Sequence, residues 1–166
     1  MNRFLSLTAT LFALSTAPAF SHDGVHIVDA YVRTIGTIGA SGAVYFTIQN
    51  HADVDDRLLS ATSDAAKKLM LHTNVETDGI MSMPAMSEGL PIVAYDEHVL
   101  ARGGDHLMLM GLTRALKDGD SIRVTLTFEH AGVVTIDVPV DNGRDNARKE
   151  TLPGHVHGST APAPSN

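Results

Sequence analysis

Ile122-Arg123-Val124-Thr125-Leu126-Thr127-Phe128 alternates apolar with polar residues at period two, and after Ala131-Gly132 the alternation resumes in Val134-Thr135-Ile136-Asp137-Val138-Pro139-Val140. Side chains of a strand point to opposite faces in turn, so each run offers one apolar and one polar face, and the Ala-Gly step between them reads as a turn. Pro139 cannot donate a ladder hydrogen bond, which places the second run at an edge or makes it end there.

Working back along the chain, the same pattern recurs in short segments. Val25 to Thr34 predicts a first strand, with Val25, Ile27, Asp29 and Tyr31 on one side and His26, Val28, Ala30 and Val32 on the other. Ala43 to Gln49 predicts the next, with Val44, Phe46 and Ile48 on one face. Further strands are expected at Arg57 to Ser63, around Met70 and His72, at Leu90 to Tyr95, at His98 to Arg102 and from His106. Asp78-Gly79 is a hairpin signal that folds Met81 and Met83 back towards His72. Many short strands at close turn spacing, with little helical periodicity, indicate an all-β antiparallel sandwich or barrel.

The chain begins Met1-Asn2-Arg3, continues with a mostly apolar run from Phe4 to Leu14, and then turns to small residues. That order predicts a secretory signal peptide over residues 1–21, too short for a stable membrane span, with Ala17-Pro18-Ala19 or Ala19-Phe20-Ser21 at the cleavage site. The expectation is an exported, periplasmic protein with no membrane span once processed. Its domain would run from 22 to 140, followed by a mobile tail over 141–166 rich in Asp, Asn, Gly, Pro and Ser.

Removal of residues 1–21 takes away one Arg and no acid, leaving 11 basic against 19 acidic residues. Such a balance argues against a nucleic-acid partner, which needs a basic footprint to neutralise phosphate. No cysteine is present, so the domain must be held by its own core. Blue-copper electron transfer, which requires a cysteine thiolate, is excluded.

Six of the seven methionines fall between Met70 and Met110. Alternation in Leu69-Met70-Leu71-His72 and in His106-Leu107-Met108-Leu109-Met110 puts leucine on one face and only thioethers and imidazoles on the other. A methionine serving as core filler would share the leucine side. Soft neutral thioethers beside imidazoles point to copper before zinc, calcium or magnesium. No Gly-x-Ser-x-Gly, His-Glu-x-x-His or phosphate-loop pattern supports a hydrolase or nucleotide enzyme.

These residues resemble the PCu(A)C family of periplasmic copper chaperones over roughly residues 25 to 140. The family pattern is a histidine, ten residues, a methionine, about twenty-one residues, then His-x-Met. Here His72 is followed after ten residues by Met83, and 22 residues, 84–105, separate Met83 from His106-Leu107-Met108. Asp78-Gly79-Ile80-Met81, Gly103-Gly104-Asp105 before His106, and Val124-Thr125-Leu126-Thr127-Phe128 with Gly132 after it also match. The resemblance implies a cupredoxin-like Greek-key β-sandwich and a non-enzymatic protein. It implies Cu(I) held by His72, Met83, His106 and Met108, and delivery for cytochrome c oxidase assembly. His155 and His157 are then candidates for Cu(II) on the tail. The implied partner is the copper-accepting oxidase subunit, with or without a thiol-bearing assembly protein.

Other readings stay open at this level. Met70 and Met110 read as a hydrophobic rim, His98 as a solvent residue on a strand edge and the best spare ligand, and His51 and His130 as solvated turn residues. The same ligands would serve copper sequestration without delivery. An amino-terminal His22, if processing exposes it, would suit a copper enzyme, and a methionine-rich partner surface needs no metal at all.

Overall fold

Period-two alternation gives strands throughout. The computed structural model describes residues 24–144 and contains β1 (Val25–Thr34), β2 (Gly42–Asn50), β3 (Asp56–Thr62), β4 (Ala66–His72), β5 (Val75–Thr77), β6 (Ile80–Ser82), β7 (Leu90–Ile92), β8 (Glu97–Leu100), β9 (His106–Leu112), β10 (Ser121–Phe128) and β11 (Val133–Pro139). No helix long and apolar enough to cross a membrane occurs among the described residues. The expected signal segment, His22, His155 and His157 lie outside them.

One sheet runs β1-β2-β9-β4 with β8 also on β2, the second runs β11-β10-β3-β7, and β5-β6 form a separate hairpin. Every ladder is antiparallel, and the chain changes sheet repeatedly, which makes an antiparallel Greek-key β-sandwich. Its interior is the aliphatic half of each alternation. Val44, Phe46 and Ile48 from β2 and Leu107 and Leu109 from β9 share one core cluster with Ile122, Val124 and Leu126 from β10. As expected for a strand containing proline, β11 is an edge.

Several elements differ from the sequence reading, among them β8, which stops at Leu100 short of the expected Arg102. The faces of β1 follow strict alternation only as far as Val28. A bulge between Val28 and Tyr31, with Asp29 at φ 60°, inserts one residue, so Val25 and Ile27 pack on the core before it and Ala30 and Val32 after it. Aspartate tolerates the left-handed region better than the β-branched residues around it. Tyr31 consequently emerges opposite Tyr45, with ring centroids 5.1 Å apart.

Strand β7 stops at Ile92, short of the expected Tyr95. Beyond it the buried Asn50 side chain donates to the carbonyls of Val54 and Val93, and Tyr95 takes φ 55°. At the carboxyl end, residues 141–144 are tied to the sandwich. The Asp141 N–H donates to the Val32 carbonyl, Asn142 Oδ1 accepts from the Thr34 N–H, and Arg144 lies over the Tyr31 ring and pairs with Asp29.

Candidate metal centre

The site arises where strand β2 changes partners. Its Phe46–Gln49 half pairs with β8 and its Gly42–Val44 half with β9. Phe46 stands opposite Leu100 and Val44 opposite Leu107. Between these rungs, at Tyr45, the chain loops out through residues 101–105. The Gly104 N–H donates to the Ala101 carbonyl and Gly103 takes φ 83°, a region glycine enters without the Cβ clash. The loop returns to the ladder at His106.

Strand β4 then sets the other side. Its register on β9 places His72 opposite His106 and Met70 opposite Met108, and directly opposed residues of an antiparallel pair project to the same face. The leucines between them, Leu69, Leu71, Leu107 and Leu109, are buried, as the partition of leucine from methionine predicts. The Asp78-Gly79 turn has positive φ at both residues and closes the β5-β6 hairpin. The chain leaving it lies along β4, with Thr73 N–H donating to the Pro84 carbonyl, Met86 N–H to the Leu71 carbonyl, and a bridge between His72 and Ala85. Met83 is thereby carried beside His72. Met86 packs against the core rather than facing the site.

Both imidazoles are oriented by backbone. His72 Nδ1 lies 3.1 Å from the Met83 carbonyl oxygen, and His106 Nδ1 lies 3.0 Å from that of Gly104. A carbonyl only accepts, so each Nδ1 carries the proton and, in the neutral ring, each Nε2 keeps the lone pair. The two rings stack with centroids 6.0 Å apart. His106 is 7% exposed. His72 Nε2 is buried and has no hydrogen-bond partner. An acceptor nitrogen left in that state costs free energy unless something binds it.

A cavity of about 460 Å³ opens beside these rings, lined among others by Met83, His106, Met108, Tyr45, Arg33 and Arg102. His72 stands behind His106 rather than in its wall. Met83 is 55% exposed, so the site joins a sheltered imidazole pair to an open thioether. Tyr45 lies 6.3 Å from the His106 ring, and burial raises its phenol, and that of Tyr31, above the ordinary tyrosine value.

The remaining candidates separate. Met70 is half-buried across from Met108, and Met110 is exposed across from Lys68. His98 Nε2 is engaged 2.8 Å from Asp105 Oδ2 and so braces the loop before His106. His51 meets His26 edge-on. No group of three His, Cys, Asp or Glu able to hold a metal occurs among the described residues. The donors brought together are therefore imidazole and thioether. Tyr45, Arg33 and Arg102 were not singled out by sequence reasoning. The outward parity of Tyr45 between Val44 and Phe46 was the available signal, whereas nothing local marked the two arginines.

The model of the LpqE-like family, described as "Putative lipoprotein LpqE-like", matches residues 25–140. The chain belongs to the LpqE-like family. "Putative lipoprotein Lxx21020" of Leifsonia xyli subsp. xyli (strain CTCB07) is 34% identical over 128 residues, which is 77% of this chain and 76% of that protein. Among solved structures, CuI-DR1885 from Deinococcus radiodurans is 28% identical with a TM-score of 0.55, covering 70% of this chain and 79% of that one. The copper-bound PCuAC domain from PmoF2 is 24% identical with a TM-score of 0.58, covering 70% of this chain and 92% of that one. The PmoF2 likeness speaks for the fold. The resemblance to PCu(A)C domains read from the sequence is upheld, and the sandwich is theirs.

Proposed function

We propose that this protein is a non-enzymatic copper chaperone of the periplasm that carries Cu(I) on His72, Met83, His106 and Met108. The observation that carries the reading is the buried, unpartnered Nε2 of His72 stacked behind His106, on the one outer face where methionine replaces ordinary polar residues. Backbone carbonyls hold each Nδ1–H and leave each Nε2 to a metal, the arrangement by which outer partners orient histidine ligands. Thioether donors beside them favour Cu(I) over harder ions. The copper named in the description of CuI-DR1885 supports the same metal.

The asymmetry of the donors supports delivery. Two oriented imidazoles hold the ion while the exposed Met83 yields first, so an acceptor's donor can enter before the last chaperone ligand leaves. The acceptor in this proposal is the copper-binding subunit of cytochrome c oxidase, assisted where needed by a thiol-bearing assembly partner. His155 and His157 would take a separate Cu(II). Lipoprotein relatives support export.

An anaerobic Cu(I) titration against a competing chelator tests the site. The processed protein and a version ending at Arg144 should bind one Cu(I) equally, and the His72→Ala, Met108→Ala double variant should lose that binding. Full affinity in the double variant refutes the ligand set. Mixing the loaded protein with an oxidase copper-site domain then tests delivery: retention of the metal would mean storage.

A further inference from the structure

The cavity beside the metal centre carries a chemistry that copper ligation does not use. Arg33 and Arg102 both line it, and no carboxylate does. In a chain with 19 acidic and 12 basic residues, Arg57, Arg123 and Arg144 each pair with an acid, and Arg114 donates to the Ser121 carbonyl. Arg33 donates only to the backbone carbonyl of Arg144, and Arg102 has no hydrogen bond or ion pair among the described residues. Arg33 and Arg102 share the lining of this cavity with Tyr45. A tyrosine phenol is protonated at neutral pH and hence a donor.

Two unmatched guanidinium groups and a hydroxyl form an anion-binding constellation, since the planar fork of arginine pairs bidentately with carboxylate. The rest of the wall includes Ile35, Ala43, Met83 and Met108, which would bury carbon better than a strongly hydrated inorganic ion. The volume, about 460 Å³, falls within the range of small-molecule sites, roughly 300–1,000 Å³. We infer that this cavity binds a small organic di- or tricarboxylate between Arg33 and Arg102, next to the metal centre.

An electrostatic consequence rests on the copper reading above. Neutral ligands leave Cu(I) its positive charge, and two uncompensated guanidinium groups nearby oppose its entry. A bound carboxylate relieves that repulsion, so copper and carboxylate should each raise the other's affinity by the same factor.

Citrate is the probe, titrated into the copper-free full chain at constant ionic strength and followed by amide chemical shifts and calorimetry. Saturable binding is expected, weakened at least tenfold by Arg102→Ala and by Arg33→Gln and kept by Arg123→Gln, which removes a guanidinium from the other sheet, outside the cavity. Arg102 is exposed and unpartnered, so Arg102→Ala should melt like the parent. Absence of saturation at millimolar citrate, binding by both arginine variants as tight as the parent's, or equally tight binding of inorganic phosphate would overturn the inference. Citrate binding without any Cu(I) binding would defeat the copper reading alone, and Cu(I) binding without citrate binding would defeat this one alone.

Discussion

The β10-β11 and β4-β9 pairs are both antiparallel ladders that turn aliphatic residues inward, yet their outward faces are built on opposite rules. Across β10-β11, Thr125 faces Thr135 with hydroxyls 3.4 Å apart, and Arg123 faces Asp137 through contacts of 2.9 and 3.3 Å. In both of these pairs the residue opposite complements its partner. Across β4-β9, Met70 faces Met108 and His72 faces His106. Pairing imidazole with imidazole satisfies neither ring, and each turns its Nδ1 to a carbonyl instead. The inward faces serve folding in both ladders. The outward face of β10-β11 is paired as a solvated sheet face would be, so the outward face of β4-β9 is where selection for something other than stability is visible.

That separation can be broken most directly within β9 itself. Leu107 is fully buried, and Leu107→Ala should cost about 2–5 kcal/mol in urea unfolding, through lost burial and the cavity left behind. One residue further on, Met108→Leu conserves shape and apolarity and should change stability by less than about 1.5 kcal/mol. It removes a soft donor, however, and should weaken Cu(I) binding by about 100-fold or more, given that even outer partners of metal ligands are worth roughly 10–100-fold. A Met108→Leu protein that loses stability as Leu107→Ala does, while keeping its copper, would erase the distinction between the two faces.

Most of this contrast was legible before any coordinates, because alternation alone sorts leucine from methionine in β4 and β9. The β-bulge at Asp29 was not, since an inserted residue leaves a locally apolar pattern that reads equally well in either parity. Nor was the early end of β7, which depends on the Asn50 side chain capturing the Val93 carbonyl from 43 residues away. The four proposed donors follow from the resemblance. Their backbone orientation does not, because the Gly104 and Met83 carbonyls that fix the rings meet them only through the fold. Arg33 and Arg102 were invisible for the same reason: they become neighbours where β2 exchanges β8 for β9.

A smaller effect is expected at the far end of β3. Asp56 is 6% exposed, and burial pushes its carboxyl up. Backbone N–H groups of His130, Arg57 and Ala131 pull it further the other way, leaving it below the ordinary aspartate range. A carboxyl lower in the folded than in the unfolded chain contributes stability above the unfolded value, about 3.9, and loses it as pH falls through the folded one. Asp56→Asn presents an N–H₂ group to at least one of those donors and should cost about 1–3 kcal/mol at neutral pH. Melts of the two proteins should converge in acid. A constant gap down to the acid limit would show that the carboxylate charge is not what holds the β10-β11 turn.

The smallest effect belongs to the pair that most resembles a designed contact. Arg123 holds the Asp137 carboxyl below its usual range by a direct hydrogen bond, and Asp137 raises the guanidinium in return. Both side chains are well exposed, at 68% and 63%, so water and salt screen the attraction and ordering two long chains opposes it. Asp137→Asn should leave the melting midpoint unchanged at physiological salt, and a clear fall there would mean that the outward face of β10-β11 contributes more to folding than its exposure allows. The expected silence has a physical reason. On this ladder complementarity adds little because the solvent could replace it, whereas His72 Nε2 is buried and has no hydrogen-bond partner among the described residues.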